Sequence, residues 1–212
     1  MIEDNSERFK IRAELSGMTE RSWRILVYFD FIIYLARIRP DFSPPMRGID
    51  APVGATVVAT VHTGLEIGTA KALAEKGRKV SVIRWFNARN SPRRAAFKLP
   101  ESIEAIEADA NSLIHARRSL AEGRTLLADC DYPLPDNPRS AESVRVISNA
   151  IFELAKRSGA KLCFVLPYID KHGLIAFKSE TVPLPLRPGV EYRKLFVEFL
   201  TRSGMDWIAW RF

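Results

Sequence analysis

The stretch VGATVVATVHTGLEIGTAKALAEKGRKVSVIRW (residues 53–85) decides the fold. It opens with β-branched residues that predict a strand, and residues 65–76 predict a helix that stops at Gly77. The segment RKVSVIRW (78–85) predicts a second strand. Strands that alternate with helices predict an α/β fold with a mostly parallel central sheet covered by helices.

The rest of the chain continues this alternation. The further predicted elements, read from apolar periodicity and glycine stops, are a long helix over 101–123, a strand over 124–129, a helix from Val144 to Gly159, a strand over 161–168, a hairpin-like stretch to about Pro185 and a last helix over 189–203. Residues 40–52 are rich in proline and predict a linker. The predicted domains are therefore an N-terminal part, 1–52, and an α/β domain, 53–212.

The N-terminal part contains RILVYFDFIIYLARIR (24–39). Its apolar core is interrupted by Asp30 and is too short to span a bilayer of about 30 Å. Aromatic residues inside it and arginines on both sides favour an interfacial helix that lies on a membrane surface. An ordinary buried helix is the alternative.

The charge of the chain suggests an anionic partner. Its formal net charge is +7 at pH 7, which suits an acidic protein, a phosphate-bearing ligand or an anionic membrane face. No nucleic-acid partner is expected, because no recognised nucleic-acid-binding motif is visible. The two cysteines, Cys130 and Cys163, form no disulfide framework and favour a reducing compartment.

Two interpretations compete for the turn after the first strand. His62 follows the strand and Glu66 comes four residues later, so a helix that began at His62 would let Glu66 hold the imidazole of a catalytic base. The same turn also resembles the glycine-rich turn of a dinucleotide-binding unit. Against that second interpretation, Ala70 replaces the third glycine and Arg84 stands where a ribose-binding carboxylate is expected.

From about residue 53 onwards the chain resembles the lipid A late acyltransferases, a lauroyl/myristoyl acyltransferase family of the glycerolipid acyltransferase superfamily. The stretches that resemble the family, in its order, are VATVHTGLEIG (58–68), FNARNSPRR (86–94), LAEGRTLLADCDYP (120–133), LAKRSGAKLCFVLPY (154–168) and WIAWRF (207–212). The family's His and acid are normally five residues apart, whereas here they are four apart.

The resemblance implies a glycerolipid-acyltransferase-like fold and acyl transfer from a carrier thioester to a hydroxyl or an amine of a lipid A-like or other lipid acceptor. It implies His62 as general base and Glu66 as its orienting carboxylate. The other site residues that it implies, as substrate-binding groups, are Arg93, Arg94, Asp129 and Asp131.

The resemblance also implies partners and a location. Acyl carrier protein or a CoA thioester would be the donor co-substrate, and no further cofactor is implied. A membrane lipid would be the acceptor, and the protein would be peripheral on the cytoplasmic face of the inner membrane. No metal site is expected, because Asp129, Asp131 and one histidine lack further ligands at suitable spacing.

Two other functions remain open from the sequence. The shorter spacing between His62 and Glu66 is compatible with a catalytically inactive relative that binds lipid or acyl carrier protein. An NAD(P)-dependent short-chain dehydrogenase-like protein is the third interpretation. Its catalytic Tyr and Lys should be four apart on a helix, but the chain offers Tyr168 and Lys171, three apart at a strand end.

Overall fold

A computed structural model describes most of the α/β part of the chain. The described residues are 28, 31–32, 34–35, 38–39, 42–63, 65–84, 100, 102–133, 145–183, 185 and 191–203. The elements within them, in chain order, are β1 (Thr56–Thr60), α1 (Glu66–Glu75), β2 (Val80–Arg84), β3 (Ile103–Glu107), α2 (Ser112–Ala121), β4 (Thr125–Asp129), β5 (Asp131–Pro133), β6 (Arg145–Ile147), α3 (Ala150–Ser158), β7 (Lys161–Ile169), β8 (Ile175–Val182) and α4 (Tyr192–Arg202).

The central sheet has six strands in the order β3-β2-β4-β1-β7-β8. The first five of these run parallel, and β8 pairs antiparallel with β7 at one edge. The short strands β5 and β6 form a separate antiparallel pair. This arrangement confirms the predicted α/β fold with a mostly parallel sheet.

Helices cover both faces of the sheet because successive side chains of a strand point to opposite sides. On one face, Val58 of β1 packs in a cluster with Ala70 and Leu73 of α1. On the other face, the neighbouring Val57 and Ala59 pack in a cluster with residues of α2, α3 and α4. The central strands are therefore apolar on both faces, as buried parallel strands usually are.

The predicted helix over 101–123 is wrong in its first half. Ile103 and Ile106 are three residues apart, which matches a helix, but both belong to β3, which pairs with β2 at the edge of the sheet. After β3, the Asp109 carboxylate accepts a hydrogen bond of 2.8 Å from the backbone N–H of Asn111, next to the start of α2. Edge pairing and this turn outweigh the local helical spacing.

The helix predicted from Val144 begins only at Ala150. The residues just before it form β6, whose Ile147 pairs with Asp131 of β5. The helix ends as predicted at Gly159, whose φ of 66° is the left-handed conformation that glycine adopts most readily.

The segment predicted as a linker packs on the domain. Ile49 is fully buried in the cluster that contains α1, and Met46 forms a β-bridge with Ile175 of β8. The Arg47 guanidinium donates a hydrogen bond of 2.7 Å to the carboxylate of Asp170. Residues 42–52 therefore form part of the folded α/β body.

Candidate functional site

The candidate site lies where three parallel strands end. The strands β4, β1 and β7 are neighbours, so their carboxyl ends meet at the same edge of the sheet. His62 follows β1, Asp129 ends β4, and Asp131 comes two residues later at the start of β5. Open α/β sheets commonly bind ligands at this edge.

Asp131 holds His62 through two hydrogen bonds. Its Oδ1 accepts one of 2.7 Å from the backbone N–H of His62 and lies 2.9 Å from the ring atom Nδ1. A carboxylate can only accept, so we place a proton on Nδ1. In the neutral ring Nε2 then has a free lone pair and can act as a base.

The strand ladder fixes the position of this pair. The backbone N–H of Cys130 donates a hydrogen bond of 2.8 Å to the carbonyl of Thr60, which joins the end of β4 to the end of β1. The Cys130 carbonyl accepts a bond of the same length from Ser148, beyond β6. Asp131 is thus held from both sides, and its side chain is 2% exposed.

The second aspartate lies on the other side of the ring. Oδ2 of Asp129 is 3.5 Å from Nε2 of His62, longer than the 2.7–2.9 Å typical of a charged hydrogen bond. The His62 side chain is 34% exposed and that of Asp129 is 15% exposed. About a third of the His62 side chain is therefore exposed, so an incoming group can reach the ring.

The structure does not give Glu66 the position predicted for it. Helix α1 begins at Glu66 rather than at His62, because His62, Thr63 and Leu65 are not helical. There Thr63 Oγ1 accepts a hydrogen bond of 3.1 Å from the N–H of Leu65. His62 and Glu66 consequently share no helix face. The carboxylate bonded to the ring is that of Asp131, and Glu66 acts on His62 through its charge alone.

The surrounding carboxylates stabilise the protonated ring. Burial by itself lowers the pKa of His62. The hydrogen bond with Asp131 and the charges of Asp129, Asp131 and Glu66 outweigh this effect and raise that pKa from 6.5 to about 9. At neutral pH, His62 is therefore mainly an imidazolium ion.

The two thiols are unsuited to nucleophilic chemistry. Burial raises the pKa of the Cys130 thiol well above its usual value, and the charges of Asp129 and Asp131 raise it further. Burial likewise raises the pKa of Cys163 to about 11. Both side chains are buried thiols that pack within the two hydrophobic clusters.

The structure thus brings four of the six site residues predicted from the sequence to one edge of the sheet. Arg93 and Arg94 lie outside the described residues. In the described part of the chain, no three His, Cys, Asp or Glu side chains are grouped so that they could hold a metal ion.

One feature of the site was missed at the level of sequence. The resemblance implies substrate binding for Asp131, whereas the structure shows Asp131 as the hydrogen-bond partner of His62. The signal was present, because a histidine after one buried strand and an Asp-x-Asp after another meet when both strands are parallel neighbours. Which strands are neighbours cannot be read from local sequence.

Comparison with known proteins adds little to this geometry. No protein-family model matches the chain, and no curated protein matches it either. Among solved structures, the crystal structure of FtsY from Mycoplasma mycoides is similar over 59% of this chain, with 16% sequence identity and a TM-score of 0.28. The chain spans 44% of that protein's length. So weak a likeness supports no argument about fold or function.

Proposed function

We propose that this protein is an acyltransferase that moves a fatty acyl group from a carrier thioester to a hydroxyl or an amine of a lipid acceptor. The observation that carries the proposal is the His62–Asp131 pair, in which a buried carboxylate holds Nδ1 of a ring that is itself partly exposed. A histidine oriented in this way suits general-base catalysis, which contributes roughly 10²–10⁴-fold to a rate.

In the proposed reaction, Nε2 of neutral His62 takes a proton from the acceptor as the acceptor attacks the thioester carbonyl carbon. Asp131 stabilises the imidazolium that forms. The carbon–sulfur bond then breaks, and the departing thiolate takes the proton from His62. No acyl-enzyme is needed, in agreement with the buried, protonated state of Cys130 and Cys163.

The finer assignment to a lipid A late acyltransferase-like protein, with a glycerolipid-acyltransferase-like fold, rests on the sequence resemblance. It makes acyl carrier protein or a CoA thioester the donor. Arg93 or Arg94 would contact a phosphate of the donor or of the acceptor, since a guanidinium fork fits phosphate oxygens. The net charge of +7 favours both partners.

Attachment to the cytoplasmic face of the inner membrane is also part of the proposal. Three apolar side chains near the N-terminus, Phe31, Tyr34 and Ile38, are each more than half exposed. Their spacing of three and four residues places them on one face of a helix, where they could enter the interfacial layer of a bilayer. In the described residues, no helix is long and apolar enough to cross a membrane.

The proposal is tested by thioester turnover. Purified protein is incubated with a panel of acyl carrier protein and CoA thioesters and with membrane lipid extract, and free thiol and acylated product are both quantified. We expect product to form with at least one donor. If no donor is consumed while lipid or carrier protein binds saturably, the inactive binding relative becomes the better interpretation.

We expect the activity to rise steeply with pH. Because the pKa of His62 is about 9, each pH unit below that value lowers the neutral, base-competent fraction about tenfold. A profile of kcat/KM from about pH 6 to pH 10 should rise with that slope and level off near pH 9. A profile already flat at pH 7 would contradict His62 as the base.

The same shift should affect stability, which gives a readout independent of turnover. A pKa raised on folding stabilises the folded state fully below the unfolded value of 6.5, and the contribution is lost as the pH rises through about 9. The melting temperature of the wild type should therefore exceed that of His62→Gln most at about pH 6. The difference should disappear by about pH 10.

A further inference from the structure

The strand β8 lies at one edge of the central sheet, and the hydrogen bonds of its first residue show how its backbone is oriented. Ile175 accepts a hydrogen bond of 2.8 Å from the N–H of Arg47 and donates one of 3.2 Å to the carbonyl of Pro45. Its N–H and C=O therefore point away from β7. In an antiparallel pair this orientation recurs at every second residue. The other residues of β8 that direct both groups outward are therefore Phe177, Ser179 and Thr181.

These outward groups have no backbone partner among the residues that the structure describes. The bridge between Met46 and Ile175 is isolated, so the segment before the sheet covers only the first residue of β8. The next outward position after the strand is Pro183, which has no N–H to donate. The free edge of β8 thus runs from Phe177 to Thr181. Its three N–H and three C=O groups form a row that can pair with another strand.

The side chains of the free edge carry opposite charges in a symmetric order. Lys178 and Glu180 lie on either side of Ser179, and both are exposed. When a second β8 lies antiparallel with the two Ser179 residues opposite each other, Lys178 of each copy faces Glu180 of the other. Opposite charges in directly facing positions stabilise a strand pair, whereas like charges destabilise it. The free edge is therefore complementary to a second copy of itself.

Contacts within the chain leave both charged side chains able to pair again. Nζ of Lys178 donates a hydrogen bond of 2.9 Å to the carbonyl of Ser203, which uses one of its three N–H groups. Glu180 accepts a hydrogen bond of 2.9 Å from Arg202 through Oε2, which leaves Oε1 for a second partner. These contacts also order the two side chains, so less conformational entropy is lost when a second copy binds.

The helix on this face of the sheet leaves room for a second copy. Helix α4 packs on β7, where the rings of Phe196 and Phe199 contact that of Phe164. In a continuous sheet, the two β7 strands lie three strand spacings apart, which is about 14 Å. Packed helices need only about 8–10 Å between their axes. Two copies of α4 therefore fit side by side.

We propose that the protein forms a symmetric dimer in which two copies of β8 pair antiparallel about Ser179 and join the two sheets into one of twelve strands. Phe177 of each copy lies opposite Thr181 of the other, and the outward groups of the two free edges form six hydrogen bonds. The same patch serves on both copies, so the assembly closes at two chains. This inference does not depend on acyl transfer, because each copy holds its own His62–Asp131 pair.

The charge pairing is tested with two variants that are measured alone and mixed. Lys178→Glu brings carboxylates opposite each other, and Glu180→Lys brings ammonium groups opposite each other. We expect each variant alone to raise the dissociation constant of the dimer by at least about tenfold. An equimolar mixture should dimerise as well as the wild type, because each charge then faces its opposite. Sedimentation equilibrium over a dilution series gives the constants, with a dimer mass of about 48 kDa, twice the 24.0 kDa of one chain.

Two further variants show whether the effect belongs to this edge. Glu107→Lys makes the same charge change at an exposed position of β3, the opposite edge of the sheet, and should leave the dissociation constant unchanged. Ser179→Pro removes the central N–H of the free edge, which takes no part in the pairing with β7, and proline is tolerated at such a position. It should weaken the dimer by at least about tenfold. Circular dichroism checks the fold of every variant.

The register is tested by a disulfide across the symmetry axis. The Cα atoms of two directly opposite, hydrogen-bonded residues lie about 5.5 Å apart, which is within the range of a disulfide. Mild oxidation of Ser179→Cys should therefore give a covalent dimer on a non-reducing gel. Ser102→Cys, at an exposed position before β3, is the control and should stay monomeric on the gel. The native thiols, Cys130 and Cys163, are buried and do not compete.

The outcomes decide this inference separately from the proposed function. A wild-type mass of 24.0 kDa at every protein concentration overturns the dimer and leaves acyl transfer untouched. A dimer that both charge variants and Ser179→Pro leave unchanged overturns β8 as its interface. A mixture of the charge variants that stays monomeric, although each is folded, overturns the proposed register, as does the absence of a disulfide in Ser179→Cys. Recovery of the dimer in the mixture together with that disulfide supports the proposal.

Discussion

Replacing His62 by Gln is expected to lower kcat/KM for acyl transfer by about 10²–10⁴-fold, the usual contribution of a general base. Gln has no group that can take a proton near neutral pH, but its amide can still donate a hydrogen bond to Asp131. The backbone N–H of residue 62 also keeps its bond to Asp131. Rates are measured near pH 9, where about half of the wild-type His62 is neutral, and circular dichroism checks the fold.

Asp131→Asn is the matched variant for this prediction. The amide oxygen can still accept from the backbone N–H and from Nδ1, so the geometry is kept while the charge is lost. We expect the rate at pH 9 to fall by roughly 10²-fold or more and the pKa of His62 to move down. If His62→Gln keeps most of the wild-type rate and its fold, His62 is not the base; if Asp131→Asn does so, the charge of Asp131 is not needed by the base.

The double variant should be no slower than His62→Gln alone, because Asp131 acts on the chemistry through His62. If the rate losses of the two single variants multiply in the double variant, Asp131 instead contacts the substrate directly. The same comparison separates an orienting residue from the substrate-binding role first assigned to Asp131.

Replacing Phe164 by Ala is expected to lower the free energy of unfolding by about 3–5 kcal/mol. Phe164 lies on β7 with no exposed surface, and its ring centroid is 4.9 Å from that of Phe196 and 5.8 Å from that of Phe199. Its ring also packs in a T-shaped arrangement with that of Phe152, with 6.1 Å between the ring centroids. Removal of this ring leaves a cavity between β7, α3 and α4, because these elements meet around it.

Equilibrium urea unfolding of both proteins measures this loss. Val197→Ala removes an apolar side chain that is 38% exposed on α4 and should cost under about 1 kcal/mol. A cost for Phe164→Ala as small as that of the control would mean that α3 and α4 do not close over β7 in solution.

Local sequence correctly predicts the elements whose apolar pattern is the same as the pattern that their tertiary contacts require. The strand before His62, the helix that stops at Gly77 and the buried strand before Asp129 are found within a few residues of their predicted bounds. The β-branched residues and the glycines favour the same elements as the tertiary packing does. Gly77 has a φ of 76°, which explains why this residue ends the helix.

Where the prediction failed, the deciding contacts were distant in sequence. Ile103 and Ile106 are both buried, while the two residues between them are exposed, so their spacing fits a helix as well as an edge strand. The parallel pairing with β2 decides that this segment is a strand and not a helix. Similarly, Asp131 rather than Glu66 is the partner of His62 because β1 and β4 are adjacent strands of the sheet. A local sequence pattern does not show which strands are adjacent.

The central position of β1 has a consequence for synthesis of the chain. Its residue Thr56 pairs on one side with Thr125 and on the other with Lys161. A nascent chain therefore carries β1 with both edges open until β4 emerges, and with one edge open until β7 emerges. Such distant pairings give a high contact order and slow folding. A ribosome pause or a holding chaperone should therefore matter most before Lys161 is made, while an apolar strand edge is still uncovered.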